Sequence, residues 1–68
     1  MKTISGKQLA HLLEKKGWEL KRVKGSHNVY AKPDNIARLS IPIHGNQPLK
    51  IGLLRHLMKL ADIKEVKL

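Results

Sequence analysis

Cysteine and phenylalanine are missing altogether from this 68-residue chain, and its aromatic side chains stop at Trp18 and Tyr30. Without cysteine there are no disulfides and no thiolate metal sites, which fits a reducing cytosol better than a secreted scaffold that needs staples. A chain this short buries only roughly 60% of its unfolded surface, so the core has to come from aliphatic packing. Two aromatics are too few for a platform that stacks successive bases of a single strand, which favours recognition of backbone shape and charge. Acids are also scarce, with 5 Asp+Glu against 14 Lys+Arg. Long apolar runs are absent as well. Met1-Lys2-Thr3 leads into no stretch of signal-peptide length, and nothing approaches the roughly 20 apolar residues of a membrane span. The expectation is a soluble, cytoplasmic protein of one domain over residues 1–68, without a membrane partner.

What the chain has in excess is positive charge. A formal charge of +9 attracts polyanions and repels other basic proteins, so nucleic acid is the leading partner class. A membrane-surface binder would want a basic amphipathic helix with aromatic anchors, and neither candidate helix carries one.

Local patterns predict five elements. Ser5 is placed as an N-cap with Gln8 as its capping-box partner, and Ile4 and Leu9 are spaced as a hydrophobic staple. A helix over Gly6–Lys16 follows, with Leu9, Leu12 and Leu13 at helical spacing, Lys15 and Lys16 at the negative end of the dipole, and Gly17 as the cap. Trp18 is expected to fold back over that helix end. Trp18, Leu20 and Val23 alternate and then slip by one residue, which predicts a strand to Lys24 with a bulge or twist near Arg22. Gly25-Ser26 makes a turn into a strand over His27–Lys32, with His27, Val29 and Ala31 on one face and Asn28 and Tyr30 on the other. Pro33-Asp34-Asn35 is turn chemistry. A third strand over Ile36–Ile41 turns Ala37, Leu39 and Ile41 inward, and Pro42 ends it. After a loop with Gly45 and Asn46, a helix over Lys50–Ala61 buries Ile51, Leu54, Leu57, Met58 and Ala61. The tail from Asp62 to Leu68 alternates Ile63, Val66 and Leu68 with charges. The order is an α+β sandwich, α-β-β-β-α, in which a three-stranded antiparallel sheet takes both helices on one face and leaves the other free.

The residues leave few routes to catalysis. Metal-dependent nucleases need clustered carboxylates or histidines, whereas Glu14, Glu19, Asp34, Asp62 and Glu65 are scattered and His11, His27, His44 and His56 show no metal-motif spacing. No glycine-rich loop leads into a helix as a nucleotide site would. Ser26 beside His27 is too local for a triad. No metal and no cofactor is therefore expected. Cleavage, if any, would be metal-free acid/base catalysis on RNA, whose own 2′-hydroxyl can attack the adjacent phosphate. One histidine can serve there, because imidazole exchanges protons near neutrality, an effect worth about 10²–10⁴-fold. Lys24, and Lys21 or Arg22, are the nearest cations in sequence for the charge on phosphorus. Tyr30 could hydrogen-bond the phosphate or stack on a base, or it could shield the sheet. His44, in a loop beside Gly45, could touch phosphate or be an ordinary loop residue. Composition leaves three readings open: an RNA endonuclease, a double-stranded-RNA-binding module without catalysis, and a structural protein of a ribonucleoprotein.

The run Lys24-Gly25-Ser26-His27-Asn28-Val29-Tyr30 resembles the strand turn of the HicA toxin family, small messenger-RNA endonucleases of bacterial toxin–antitoxin pairs. Leu12-Leu13-Glu14-Lys15-Lys16-Gly17-Trp18 is similar to the family's opening, Ile41-Pro42-Ile43-His44-Gly45-Asn46 to the loop after its third strand, and Leu49-Lys50-Ile51-Gly52-Leu53-Leu54-Arg55 to the start of its second helix. The resemblance implies a fold similar to a double-stranded-RNA-binding domain and a metal-independent endoribonuclease acting as the toxin of a type II system. It implies His27 as the catalytic residue and a HicB-like antitoxin as partner. Lys21, Arg22, Lys24, Ser26 and Tyr30 are the expected RNA contacts around it. Two positions depart from the family pattern. Asn28 stands where many members have a second histidine, and Asp62 where many end the second helix with glycine.

Overall fold

The computed structural model describes residues 3–64. Its elements run α1 (Gly6–Lys15), β1 (Glu19–Lys24), β2 (His27–Lys32), β3 (Asn35–Pro42) and α2 (Ile51–Leu60), forming one antiparallel sheet in the order β1-β2-β3. This is the α+β arrangement that the patterning predicts, with element ends differing by a residue or so. The tail residues Val66 and Leu68 lie outside the described residues.

Helix α1 starts where its cap dictates. The Ser5 hydroxyl accepts the Gln8 N–H at 3.1 Å and the Gln8 side chain accepts the Ser5 N–H at 3.0 Å, satisfying donors that a helix start leaves without partners. Ile4 and Leu9, the expected staple pair, are both buried in the same apolar cluster. At its other end, Gly17 takes φ 93°, the Trp18 N–H reaches the Leu13 carbonyl at 3.0 Å, and the Trp18 side chain is buried. This is a Schellman cap, in which the residue after the left-handed position turns back onto the core.

Helix α2 ends the same way without glycine. Asp62 occupies the left-handed position at φ 57°, and the Ile63 N–H bonds the Met58 carbonyl at 2.8 Å, so that Ile63 closes over the core as Trp18 does. The departure from glycine leaves the cap geometry in place, because a short polar side chain tolerates this conformation better than most.

One cluster holds the fold together. Leu9, Leu13 and Trp18 from the first helix and its cap, Leu54, Leu57, Met58, Ala61 and Ile63 from the second, and Tyr30, Leu39 and Ile41 from the sheet are packed together, so both helices cover one sheet face. The exception to expectation is Ile51, which is exposed. It opens the helix at the margin of the stripe that Leu54, Leu57, Met58 and Ala61 define.

A second corner ties the helix starts together. Ser5 bridges to Pro48, the Leu49 N–H donates to the Ile4 carbonyl at 2.8 Å, and the Thr3 hydroxyl donates to the Leu49 carbonyl. Gly6 makes the approach to β3 possible, since a Cβ there would stand 2.1 Å from the Pro42 carbonyl oxygen. Among the described residues no helix is long and apolar enough to cross a membrane.

Candidate functional site

The turn between β1 and β2 sets the position of His27. Lys24 and His27 are cross-strand partners, leaving Gly25 and Ser26 as a two-residue hairpin loop. Gly25 holds φ 58°, the positive value that the first position of such a loop requires and that glycine adopts without strain.

Pairing then sorts the side chains. Tyr30 and Asn28 lie opposite Leu39 and Ile41, the most deeply buried residues of β3, so alternation puts them on the helix-covered face. His27, Val29 and Ala31 stand on the other face, opposite Pro42, Ser40 and Arg38 respectively. His27 is exposed, and Ala31, although buried, is no part of the apolar cluster.

On the other flank, the register of β1 shifts between Leu20 and Arg22, leaving Lys21 as the bulged residue. That surplus residue decides the site. With it, Val23 pairs with Asn28 on the helix side, while Arg22 pairs with Val29 and Lys24 with His27 on the free side. Without a bulge, strict alternation from Leu20 would turn Arg22 inward and Val23 outward.

The free face therefore carries three cross-strand rows. Lys24, His27 and Pro42 form the first, Arg22, Val29 and Ser40 the second, and Glu19, Ala31 and Arg38 the third. Opposed residues on one face have Cβ atoms about 4.5–5.5 Å apart, so the Lys24 side chain springs from beside His27 and Arg22 lies on the diagonal. Among the described residues the one ion pair is Lys21 with Glu19 at 2.8 Å, at the far end of β1. Arg22, Lys24 and Arg38 form no ion pair among the described residues.

The expected RNA contacts thus divide. Arg22 and Lys24 join His27. Lys21 sits on the bulge with its ammonium held by Glu19. Ser26 is half-buried in the turn, and its carbonyl accepts the Ile43 N–H at 2.7 Å. Tyr30 does not belong with them: it is 1% exposed, on the helix face, and its hydroxyl donates to the Glu14 carboxylate at 2.7 Å. Burial and that bond push the Tyr30 hydroxyl above its ordinary value. The alternative reading, a tyrosine that shields the sheet, is the one the packing selects. Among the other lysines, Lys15 and Lys16 lie at the end of α1, and the Lys32 Cε is 3.6 Å from where a Cβ on Gly17 would stand.

Asn28 is also resolved by alternation. It is on the opposite face from His27, so a histidine at that position would not share the free face with it.

Two features were not legible as motifs. Glu14 looks like a surface helix acid, and only docking of α1 on the sheet brings it to Tyr30. The bond from Ile43 to Ser26 joins the loop after β3 to the histidine turn. Beyond it, His44, Lys50, Pro42 and Leu53 are among the residues that wall a cleft of about 230 Å³. His11 and His56 are exposed on the helices. Among the described residues no three His, Asp or Glu side chains gather in a way that could hold a metal ion.

The family model described as the HicA toxin of bacterial toxin–antitoxin matches residues 6–63. A search of curated proteins found no match.

Proposed function

Since the chain belongs to the HicA toxin family, the toxin side of toxin–antitoxin pairs, we propose that it is an endoribonuclease that cuts messenger RNA on the free face of its sheet. The observation that supports this reading is the row Lys24–His27 with Arg22 on its diagonal: an exposed imidazole flanked by two cations that form no ion pair among the described residues.

The chemistry asks for no more than that face offers. An RNA 2′-oxygen attacks the adjacent phosphorus, the bond from phosphorus to the 5′-oxygen breaks, and a 2′,3′-cyclic phosphate and a 5′-hydroxyl result. A proton must leave the 2′-hydroxyl and another must reach the departing oxygen. His27 moves one of them, since imidazole takes and gives protons near neutral pH. Lys24 and Arg22 stabilise the added negative charge on the phosphoryl oxygens as the bonds rearrange. RNA supplies its own nucleophile, so no metal-activated water is required.

Recognition follows from the same inventory. Tyr30 and Trp18 are both buried, so the free face offers no tyrosine or tryptophan on which a base could stack. Arg22, Lys24 and Arg38 meet phosphates, which carry no sequence information, and cutting is tolerant of sequence. Such a protein has to be silenced where messenger RNA is present, in the cytoplasm. A HicB-like antitoxin with an acidic surface that covers His27 would match the +9 charge.

The test is to incubate purified protein with messenger RNA in EDTA. Cutting is expected, with His27→Ala abolishing it and leaving RNA affinity within about threefold. Intact RNA, or equal cutting by the variant, would overturn the reading, and the former outcome together with retained binding would leave an RNA-binding module.

A further inference from the structure

The reaction needs two proton transfers, and His27 accounts for one. We propose that His44 carries out the other, so that the RNA strand crosses the corner where the histidine turn meets the loop after β3. This rests on the reading of the free face as an RNA-cleaving site.

Three observations bring His44 to that corner. Pro42 is the cross-strand partner of His27 and also part of the wall of the cleft that His44 lines. Paired Cα atoms lie about 4.5–5.5 Å apart and His44 follows Pro42 by two residues, which places the Cα atoms of His27 and His44 within about 13 Å of each other. A phosphodiester, with one exchanging oxygen on each side, fits between two imidazoles hung from such positions. Finally, the backbone around His44 is anchored on both sides. The Ile43 N–H is bonded to the Ser26 carbonyl at 2.7 Å, and the His44 carbonyl accepts the Gln47 N–H at 3.0 Å, closing a turn in which Gly45 holds φ 58°. The backbone that carries the His44 side chain is thus held next to the histidine turn.

Among the described residues no other imidazole, carboxyl or phenol competes for the role. Tyr30 is buried and already donates to Glu14. Glu19 is committed to Lys21 and stands opposite Ala31, at the other end of the β1–β2 pairing from His27. Asp34 lies in the turn at the opposite end of the β2–β3 hairpin, and Asp62 caps the far end of α2. His11 and His56 point to solvent from the helices, as their exposure shows. Around His44 itself, the charged neighbour on the cleft wall is Lys50, at the start of α2, where it adds a cation for the strand that leaves the site.

Single-turnover cutting of a short single-stranded RNA, followed across pH, tests the assignment. The wild-type profile is expected to be bell-shaped. His44→Ala is expected to lower the cutting rate about 10²–10⁴-fold, with RNA affinity changed less than threefold, and to erase one limb of the bell. His27→Ala erases the other. An RNA with sulfur in place of the scissile 5′-oxygen needs no proton on its leaving group, so it restores cutting to whichever variant has lost the acid and to that variant alone. Because His44 is exposed, both His44→Ala and His44→Gln should melt with the wild type, which separates chemistry from folding. Wild-type cutting by His44→Ala, or lost affinity with both limbs intact, would overturn this proposal while leaving the role of His27 standing. A wild-type protein that cuts no RNA takes both readings down.

Discussion

The two faces of the sheet are made from the same strands and carry opposite duties. On the helix side, Tyr30, Leu39 and Ile41 are almost wholly buried and bind both helices to the sheet. On the other side, His27, Arg22, Lys24 and Arg38 are exposed and support nothing above them. Along β2 the duties alternate residue by residue. Stability and the proposed cleavage are therefore separable by substitution, although their residues are neighbours in the chain.

The largest effect should come from the covered face. Tyr30→Ala empties the centre of a small core and is expected to cost about 3–5 kcal/mol, enough to unfold much of a domain this size; a denaturant titration reads it. Next comes the converse on the free face. Replacing both Arg22 and Lys24 by Ala should lower the second-order cutting rate about 10²-fold while moving the melting temperature little, since neither side chain packs on the core.

A finer cut separates the Tyr30 ring from its hydroxyl. Tyr30→Phe keeps the packing and loses the bond to Glu14, a change of about 1 kcal/mol, with RNA cutting unchanged. The sign with pH follows from the raised Tyr30 value. Unfolded tyrosine ionises near pH 10, the folded hydroxyl later, so its contribution is complete below about pH 10 and declines as pH rises through the folded value. The Phe variant should lack that alkaline loss in unfolding curves taken on both sides of pH 10.

Two smaller substitutions bound the comparison. Asp62→Gly touches neither face and relieves a left-handed aspartate, so a gain of up to about 1 kcal/mol in stability is expected with activity constant. Ile36, 98% exposed on the strand that carries Arg38, should tolerate Ser within about 0.5 kcal/mol; a larger loss would mean that the free face supports the fold after all.

Much of this architecture is readable from short stretches of chain. The Ser5–Gln8 box, the cap at Gly17 with Trp18 behind it, the slip in β1 and the Gly25-Ser26 turn are all interactions across a few residues, and each appears where the local pattern predicts it. Burial at Ile51 is the inference that fails, because periodicity marks a stripe without saying how deeply its margin is covered. Tyr30 was expected at the RNA because residue type suggested a contact, and alternation alone does not say which face the helices will cover.

By itself, the sequence determined the element order, the caps, the histidine turn and the excess of positive charge, since these depend on local geometry and composition. Only the tertiary structure decided which face of β2 is covered, that the bulged Lys21 puts Arg22 and Lys24 beside His27, and that Ile43 reaches Ser26 and brings His44 along. The physical reason is common to all three. Each depends on pairings between segments distant in sequence, and a pairing shifted by one residue would turn every side chain to the other face.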